Sequence, residues 1–336
     1  MRTAELDYDL PPELVAQTPA EPRDAARLLV YRRADRSIEH RTFRELPDLL
    51  DPSDLLVVNT SRVMSARVRL RRPGGGSAEI LLLEPLGSGG EWEALARPTR
   101  RMRAGMTLAS DGLRVDLVEH LEGGRWRVRP SLTGPALMEA LDRVGEMPLP
   151  PYIRARPPDP GRYQTVYADA PGSAAAPTAG LHVTPQMWDT LRARCDVVEV
   201  ELRIGLDTFR PVSEDLLESH TIHSERYRVD AGAARAIAEA RAQGRRIVAL
   251  GTTATRVLET LARPDAPREG RTSIFITPGY RFAVTGALVT NFHLPRSTLL
   301  ALVMAFAGVE EMRRVYAVAV AEGYRFFSFG DASLLL

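Results

Sequence analysis

The sequence predicts an α/β domain assembled from both ends of the chain, with a small antiparallel β-barrel inserted into it. Three observations lead there. From Val198 to the C-terminus, short apolar runs alternate with helical patterns, as in an α/β layer. From Ser61 to about Arg129 the texture is different: brief β-type runs are separated by Gly74-Gly75-Gly76, Gly87–Gly90, Asp111-Gly112 and Gly123-Gly124, a spacing that suits a barrel. The chain has 336 residues and is 44% apolar, enough for a full core and one large or two ordinary domains. The expected division is 1–60 with 130–336 for the α/β domain, and 61–129 for the barrel.

In chain order, a proline-rich polar arm comes first. Strands are expected at Leu28–Arg33 and Ser37–Phe43, a short helix at Arg44–Leu50 and a buried strand at Asp54–Val58. The barrel strands are expected at Arg62–Leu70, Ala78–Leu83, Glu91–Arg97, Met106–Leu108, Leu113–Leu121 and Arg125–Arg129. Pro135–Arg143 reads as a helix, followed by the stiff Met147-Pro-Leu-Pro-Pro-Tyr152 crossing. Thr184-Pro185 opens a helix with an N-cap and a first-turn proline, and that helix runs to Cys195. Val198 to Ile204 alternates as a strand does. Asp230 caps an alanine-rich helix ending at Gly244. Arg246–Leu250 is a buried strand, and Gly251-Thr252-Thr253 opens the next helix. Ser273–Thr277 and Ala287–Phe292 read as strands. Helices Ser297–Ala307 and Val309–Glu322 close on Gly308 and Gly323, and Tyr324–Phe329 reads as the last strand.

Composition excludes several classes. Every cation is arginine, so each basic contact is a planar fork suited to phosphate. Cys195 is the only cysteine, which rules out an internal disulfide and fits a reducing compartment. The opening MRTAELDYDLPPE lacks a signal peptide's apolar run, and Leu299 to Val309 is too short to span a bilayer. A cytoplasmic protein without membrane contact is expected. Neither GxxxxGK[ST] nor GxGxxG occurs.

Chemistry concentrates in a few stretches. Gly161 to Thr184 is poor in apolar periodicity and rich in turn types, among them Thr178 and Gly180. It reads as a backbone-lined binding loop that delivers His182 just before a helix N-terminus, where an anion is welcome. A long connection with a buried structural histidine is the alternative. Gly251, Thr252 and Thr253 follow a buried strand and precede a helix, where open α/β sheets bind ligands, although a plain helix cap has the same sequence. Asn291 and His293 end one expected strand, and Asp331 follows another, so they could converge on one cleft. His223 and Glu225, two apart, read as a proton-handling or orienting pair, or as a surface pair. His220 and His223 would point to opposite faces of a strand and no cysteine cluster completes a site, so no metal is expected. Between Ser61 and Gly105 nine arginines face four glutamates, and Arg97, Arg100, Arg101 and Arg103 cluster beside Trp92. Such a face suits a nucleic-acid backbone, or is simply solvated.

Several long segments together resemble one family. They are Leu10 to Asp24, Met147 to Tyr152, RYQTVYA (Arg162–Ala168), AAPTAGLH (Ala175–His182), TFRPV (Thr208–Val212), HSERY (His223–Tyr227), GTTATR (Gly251–Arg256), TPGYRF (Thr277–Phe282), TNFHLPRSTLLALV (Thr290–Val303) and YRFFSFGDA (Tyr324–Ala332). Collinear from Asp7 onward, they resemble the S-adenosylmethionine:tRNA ribosyltransferase-isomerases of queuosine biosynthesis. The resemblance implies an α/β domain with an inserted β-barrel. It also implies transfer and isomerisation of the ribosyl part of S-adenosylmethionine onto 7-aminomethyl-7-deazaguanine at the wobble position of a tRNA anticodon loop. Adenine and methionine leave, and the product is epoxyqueuosine-tRNA. S-adenosylmethionine is then a consumed substrate, no cofactor is expected, and the protein is expected to be a monomer.

That chemistry needs a base, an acid and a neutral amine. The candidates are His182, His223 and His293 for proton transfer, with Glu225 and Asp331 orienting or accepting. Thr178, Gly180, Gly251, Thr252, Thr253 and Asn291 are candidates for holding substrate. Arg62, Arg67, Arg100, Arg101 and Arg103 are candidates for tRNA phosphate. The chain departs from the family's usual residues at Thr60, Ser65, Glu146, Arg203, Asp207, Gly286 and Ser333. Two alternatives therefore stay open: a diverged enzyme using another amine acceptor, and a non-catalytic RNA-binding module.

Overall fold

The structure is a computed structural model describing residues 1–150, 152–154, 159–205, 212–263 and 265–336, with Pro160 and Ala170 described by backbone alone. It divides into two compact units, one of Met1–Ser61, Pro151–Ala170 and Ala176–Leu336, the other of Arg62–Pro150 and Pro171–Ala175. Elements in chain order are β1 (Arg27–Arg32), β2 (Ser37–Thr42), α1 (Leu46–Leu49), β3 (Leu55–Asn59), β4 (Ser61–Val63), β5 (Arg67–Arg71), β6 (Ser77–Leu86) and β7 (Glu91–Arg97). Then follow β8 (Thr107–Ser110), β9 (Leu113–His120), β10 (Arg125–Pro130), α2 (Gly134–Val144), β11 (Gly145–Glu146), β12 (Ala170–Ser173), α3 (Pro185–Arg194) and β13 (Asp196–Leu202). The remainder is β14 (Glu225–Arg228), α4 (Ala231–Ala242), β15 (Ile247–Leu250), α5 (Thr252–Leu261), β16 (Glu269–Thr272), β17 (Ala287–Asn291), α6 (Thr298–Ala307), α7 (Val309–Ala321) and β18 (Ala332–Leu335).

The first unit is built on a nine-stranded sheet in the order β16-β14-β13-β3-β15-β17-β18-β1-β2. β13, β3, β15 and β17 are mutually parallel. Their continuous apolar runs, such as Leu55-Leu56-Val57-Val58, fit strands covered on both faces. Leu55, Val57, Ile247 and Ala249 point into one core, which α6 and α7 fill; Leu56, Val58, Val248 and Leu250 point into the other, with Met187 and Leu191 of α3. Three helices start as their sequences require: Thr184, Asp230 and Ser297 accept from Met187 N (3.2 Å), Ala233 N (2.8 Å) and Leu300 N (3.1 Å).

In the second unit, β5, β6, β7, β10, β9 and β8 form an antiparallel barrel closed by the pairing of Arg71 with Ala109. Alternation fills its interior: Trp92, Ala94 and Ala96 of β7, Leu113, Val115 and Leu117 of β9, and Trp126 and Val128 of β10 are all buried. This unit runs to Pro150 rather than stopping at Arg129. β11 adds to β5, pairing Gly145 with Val68, and α2 packs on both strands. Gly145 is obligatory there, because a Cβ would stand 1.9 Å from Ser65 O.

Four expectations need correction. Arg62–Leu70 is two strands, β4 and β5, broken at Met64-Ser65-Ala66. Ser273–Thr277 is not a strand; the strand is β16, just before it. Thr272 Oγ1 accepts from Ile274 N (3.2 Å) and bonds Thr260 Oγ1 (2.6 Å), turning the chain out of the ladder, so Ile274 and Ile276 are buried without strand partners. Tyr324–Phe329 is not the last strand either. Phe327 has φ 75° and a Cβ on Gly330 would stand 2.4 Å from Arg325 O, so this aromatic run makes a tight turn and β18 follows it. His220 and His223 lie on no strand; β14 begins at Glu225, after the 3-10 turn Leu217–Ser219.

Candidate active site

The carboxyl ends of β13, β3, β15 and β17 share one rim because these strands are parallel. β18 runs antiparallel to β17, with Asn291 opposite Ala332, so its amino end lies on that rim too. Asp331 therefore reaches the rim by preceding a strand, not by following one.

At the end of β17 lies a small pocket, open to solvent. Thr178, Asn291, His293, Ser297 and Ser328 give it polar groups, and Phe292, Leu294 and Phe327 give it apolar wall. His293 is 7% exposed; its Nε2 lies 2.8 Å from Thr290 Oγ1. Tyr316 Oη accepts from its amide (3.1 Å), and Tyr8 Oη donates to its carbonyl (2.5 Å). Burial lowers the His293 pKa to about 3. Asn291 donates from Nδ2 to Phe327 O (2.8 Å) and Ser328 O (3.3 Å), so its Oδ1 faces His182 Nε2 at 3.1 Å. That network sets an acceptor against Nε2 and so places the proton of the neutral ring there. Burial is the main cause that lowers the His182 pKa to about 4, against the opposing pull of Asn291 and Asp331. The His182 ring packs 4.7 Å from that of Phe43.

The turn that carries His182, Thr178–His182, fixes its position through a glycine. A Cβ on Gly180 would stand 1.9 Å from Tyr167 Oη and 2.9 Å from Thr165 Cγ2. Tyr167 itself stacks on Trp188, with ring centroids 4.6 Å apart.

Asp331 is 2% exposed and braces the rim: Oδ1 accepts from Arg27 N (2.9 Å) and Oδ2 from Arg325 N (2.8 Å). Glu225 stands on β14, four strand positions from β17, so roughly 19 Å along the sheet. It pairs with Arg256 and accepts from Gly205 N (2.8 Å). His223 is exposed beyond it. The structure thus gathers Thr178, His182, Asn291, His293 and Asp331 at one place and sets His223 and Glu225 apart on the same rim. Gly251, Thr252 and Thr253 lie between: Gly251 N donates to Val289 O (2.8 Å), one strand from the pocket. His220 bonds Glu214 Oε2 through Nδ1 (2.8 Å). Among the described residues, no group of three or more His, Cys, Asp or Glu side chains could hold a metal ion. None of their helices is long and apolar enough to cross a membrane.

Sequence reasoning passed over three buried polar groups of this rim. Asn59 ties β3 to β13, donating to Leu202 O (3.0 Å) and accepting from Leu202 N (3.1 Å). Thr290 meets His293. Arg256 was quoted only as the end of GTTATR; the signal was an arginine inside a helix otherwise buried along its length.

On the barrel, four strand arginines are matched by glutamates: Arg125 with Glu93 (2.7 Å), Arg129 with Glu91 (2.6 Å), Arg127 with Glu119 (3.3 Å) and Arg67 with Glu79 (3.9 Å). Arg62, Arg100, Arg101 and Arg103 are exposed and form no ion pair among the described residues. Trp92 is turned into the barrel, 8% exposed, and offers no stacking face to them.

Three of the seven departures from the family's usual residues are accommodated by local contacts. Thr60 Oγ1 donates to Val200 O (3.4 Å), Glu146 pairs with Arg69 (3.3 Å) and Arg203 with Glu201 (2.6 Å). Asp207, and TFRPV up to Pro211, lie outside the described residues.

The comparisons agree with this picture over the whole length. The chain is 54% identical to an S-adenosylmethionine:tRNA ribosyltransferase-isomerase of Rubrobacter xylanophilus, covering 100% of this chain and 98% of that one. It is 51% identical to the protein of the same name from Moorella thermoacetica, covering 100% of both. A crystal structure of S-adenosylmethionine tRNA ribosyltransferase from Thermotoga maritima is similar, with TM-score 0.58 and 39% identity over 99% of this chain and 100% of that one. A family model described as queuosine biosynthesis protein matches residues 3–335, and with relatives this similar from end to end, the chain belongs to that family.

Proposed function

We propose that the protein is an S-adenosylmethionine:tRNA ribosyltransferase-isomerase. It moves the ribosyl group of S-adenosylmethionine to the aminomethyl group of 7-aminomethyl-7-deazaguanine at a tRNA wobble position, giving epoxyqueuosine-tRNA, adenine and methionine. The observation that carries this reading is the 54% identity, across the full chain, to a relative with that name. The rim pocket supports it: a partly apolar wall with a few converging polar groups suits a small substrate.

The roles follow from placement. His293 lines the pocket and is neutral at physiological pH, so it enters the reaction able to accept a proton and unable to donate one. It takes the proton beside the sulfonium and then delivers it to departing adenine. His182 acts through Asn291, fixing the amide that shares the pocket wall. Asp331 orients the turn behind them. Thr178 and the Gly251–Thr253 turn hold the donor. The wobble base leaves its stack cheaply, as anticodon-loop bases do. Arg62, Arg67, Arg100, Arg101 and Arg103 contact phosphate, and the enzyme works as a cytoplasmic monomer.

The test is incubation with S-adenosylmethionine and a tRNA carrying the deazaguanine base, with released adenine measured by chromatography. Adenine should appear only when both substrates are present. Tight binding of both substrates without adenine would favour the RNA-binding alternative.

A further inference from the structure

One strand from the pocket, α5 begins uncapped. Its N-cap is Gly251, at φ 100°, and among the described residues no side chain accepts from the first-turn N–H groups. Yet Thr252, Thr253 and Ala254 are 7%, 8% and 0% exposed. A buried helix start of this kind needs an acceptor. Two further polar atoms there are buried and make no hydrogen bond among the described residues, Thr253 Oγ1 and Arg256 Nη2. Arg256 is 8% exposed and three residues after Thr253, so both side chains share one face, and helical side chains lean toward the N-terminus. Thr253 Oγ1 lies 3.7 Å from where a Gly251 Cβ would stand, which places it back over the cap. The guanidinium is held at rim level, with Nη1 on Glu225 and Nε on Ile274 O (3.3 Å). Glu225 in turn accepts from Gly205, three residues past the end of β13. Nη2 is left over, fixed in place by a fork whose other arms are occupied.

We propose that the start of α5 is a carboxylate site, built from the first-turn N–H groups, Thr253 Oγ1 and Arg256 Nη2. Resting on the functional reading above, we assign it the amino-acid carboxylate of S-adenosylmethionine. A helix N-terminus, a hydroxyl and a guanidinium N–H all favour an anion, and an anion there would satisfy donors that nothing among the described residues satisfies. The span agrees as well. Gly251 is hydrogen-bonded to Val289, two residues before Asn291, so the site lies about 5 Å, one strand spacing, from the pocket wall. A few single bonds separate the sulfonium of this donor from its carboxylate, a comparable distance. The donor would then straddle β15 and β17, sulfonium over the pocket and carboxylate on α5.

The test is calorimetric titration of the full-length protein with S-adenosylmethionine and with its decarboxylated analogue. Two variants are used, with thermal melts as a check on folding. Thr253→Val removes an unpaired buried hydroxyl at constant shape, so its melting temperature should hold or rise. Arg256→Lys keeps a cation for Glu225 and loses the fork. Wild type should bind the carboxylated donor more tightly than the analogue. Each variant should weaken the carboxylated donor about tenfold and leave the analogue unchanged. Equal binding of the two donors by wild type, or equal effects of the variants on both, would overturn the assignment. Should neither donor bind wild type, the functional reading itself fails. The carboxylate site is then judged by L-methionine against methioninol, where equal binding overturns it and a preference for L-methionine lost in Thr253→Val supports it.

Discussion

His182 and His293 carry the two largest consequences at the scale of single residues. Burial pushes both pKa values down, to about 4 and about 3, from 6.5. In the unfolded chain each ring gains a proton near pH 6.5, while the folded chain resists it. The unfolded state therefore binds more protons between the two values, and stability falls as pH drops from about 6.5 toward 4 or 3. Over the whole range, His182 should contribute on the order of 3 kcal/mol and His293 about 5 kcal/mol to that loss. Urea melts at pH 7 and pH 4.5 should show a smaller difference in His293→Gln than in wild type. The activity profile follows the same sign. A histidine that works as a neutral base stays competent well below pH 6.5, so the acid limb of kcat/KM should fall below pH 5. An acid limb at 6.5 would mean an exposed histidine carries the proton. Gly180 is the other residue with a sharp expectation. Ala in its place puts a Cβ 1.9 Å from Tyr167 Oη, so the Thr178–His182 turn must shift. Gly180→Ala should lower kcat at least tenfold while the α/β core still melts cooperatively, since a misplacement of about 1 Å can cost a hundredfold.

At the scale of elements, a buried carboxylate organises the segment before β17. Glu259, fully buried on α5, accepts from Ala283 N (2.9 Å), Val284 N (3.2 Å), Thr285 N (2.8 Å), Thr285 Oγ1 (2.9 Å) and Tyr280 Oη (3.2 Å). The TPGYRF stretch is thus tied to the helix that starts at Gly251. Glu259→Gln turns one acceptor oxygen into a donor facing donors, and should cost about 3 kcal/mol in denaturant unfolding at pH 7. On the barrel, the exposed Arg100, Arg101 and Arg103, without an ion pair among the described residues, stand just beyond β7, whereas Arg125, Arg127 and Arg129 of β10 are balanced by glutamates. Replacing all three by Ala should weaken tRNA binding and flatten its dependence on salt by up to about three counterions, with donor binding unchanged. An unaltered salt slope would move the phosphate contacts elsewhere.

At the scale of the whole molecule, the architecture was legible because texture changes with environment. β3, β15 and β17, covered on both faces, read as continuous apolar runs, while barrel strands alternate and end in glycine turns. Regions that misled did so through tertiary override. The aromatics Tyr324 and Phe326 have strand propensity, yet each is buried singly around a turn that Gly330 permits. Ile274 and Ile276 look like ladder residues and are core residues instead. Rim convergence was legible in part. Asn291, His293 and Asp331 meet because β18 is antiparallel, which no local pattern encodes. Arg256 was hidden because its partner Glu225 is 31 residues away and its unpaired nitrogen shows only in three dimensions.

The most direct test of proton transfer at the rim uses S-adenosylmethionine labelled with deuterium on the carbon beside the sulfonium. Label release to water and adenine formation are followed together in wild type and in His293→Gln, with donor binding measured in parallel. Wild type should lose label in step with adenine formation, while His293→Gln should bind the donor, stay folded and retain the label. Label release by His293→Gln at the wild-type rate would contradict the assignment of the proton to this pocket.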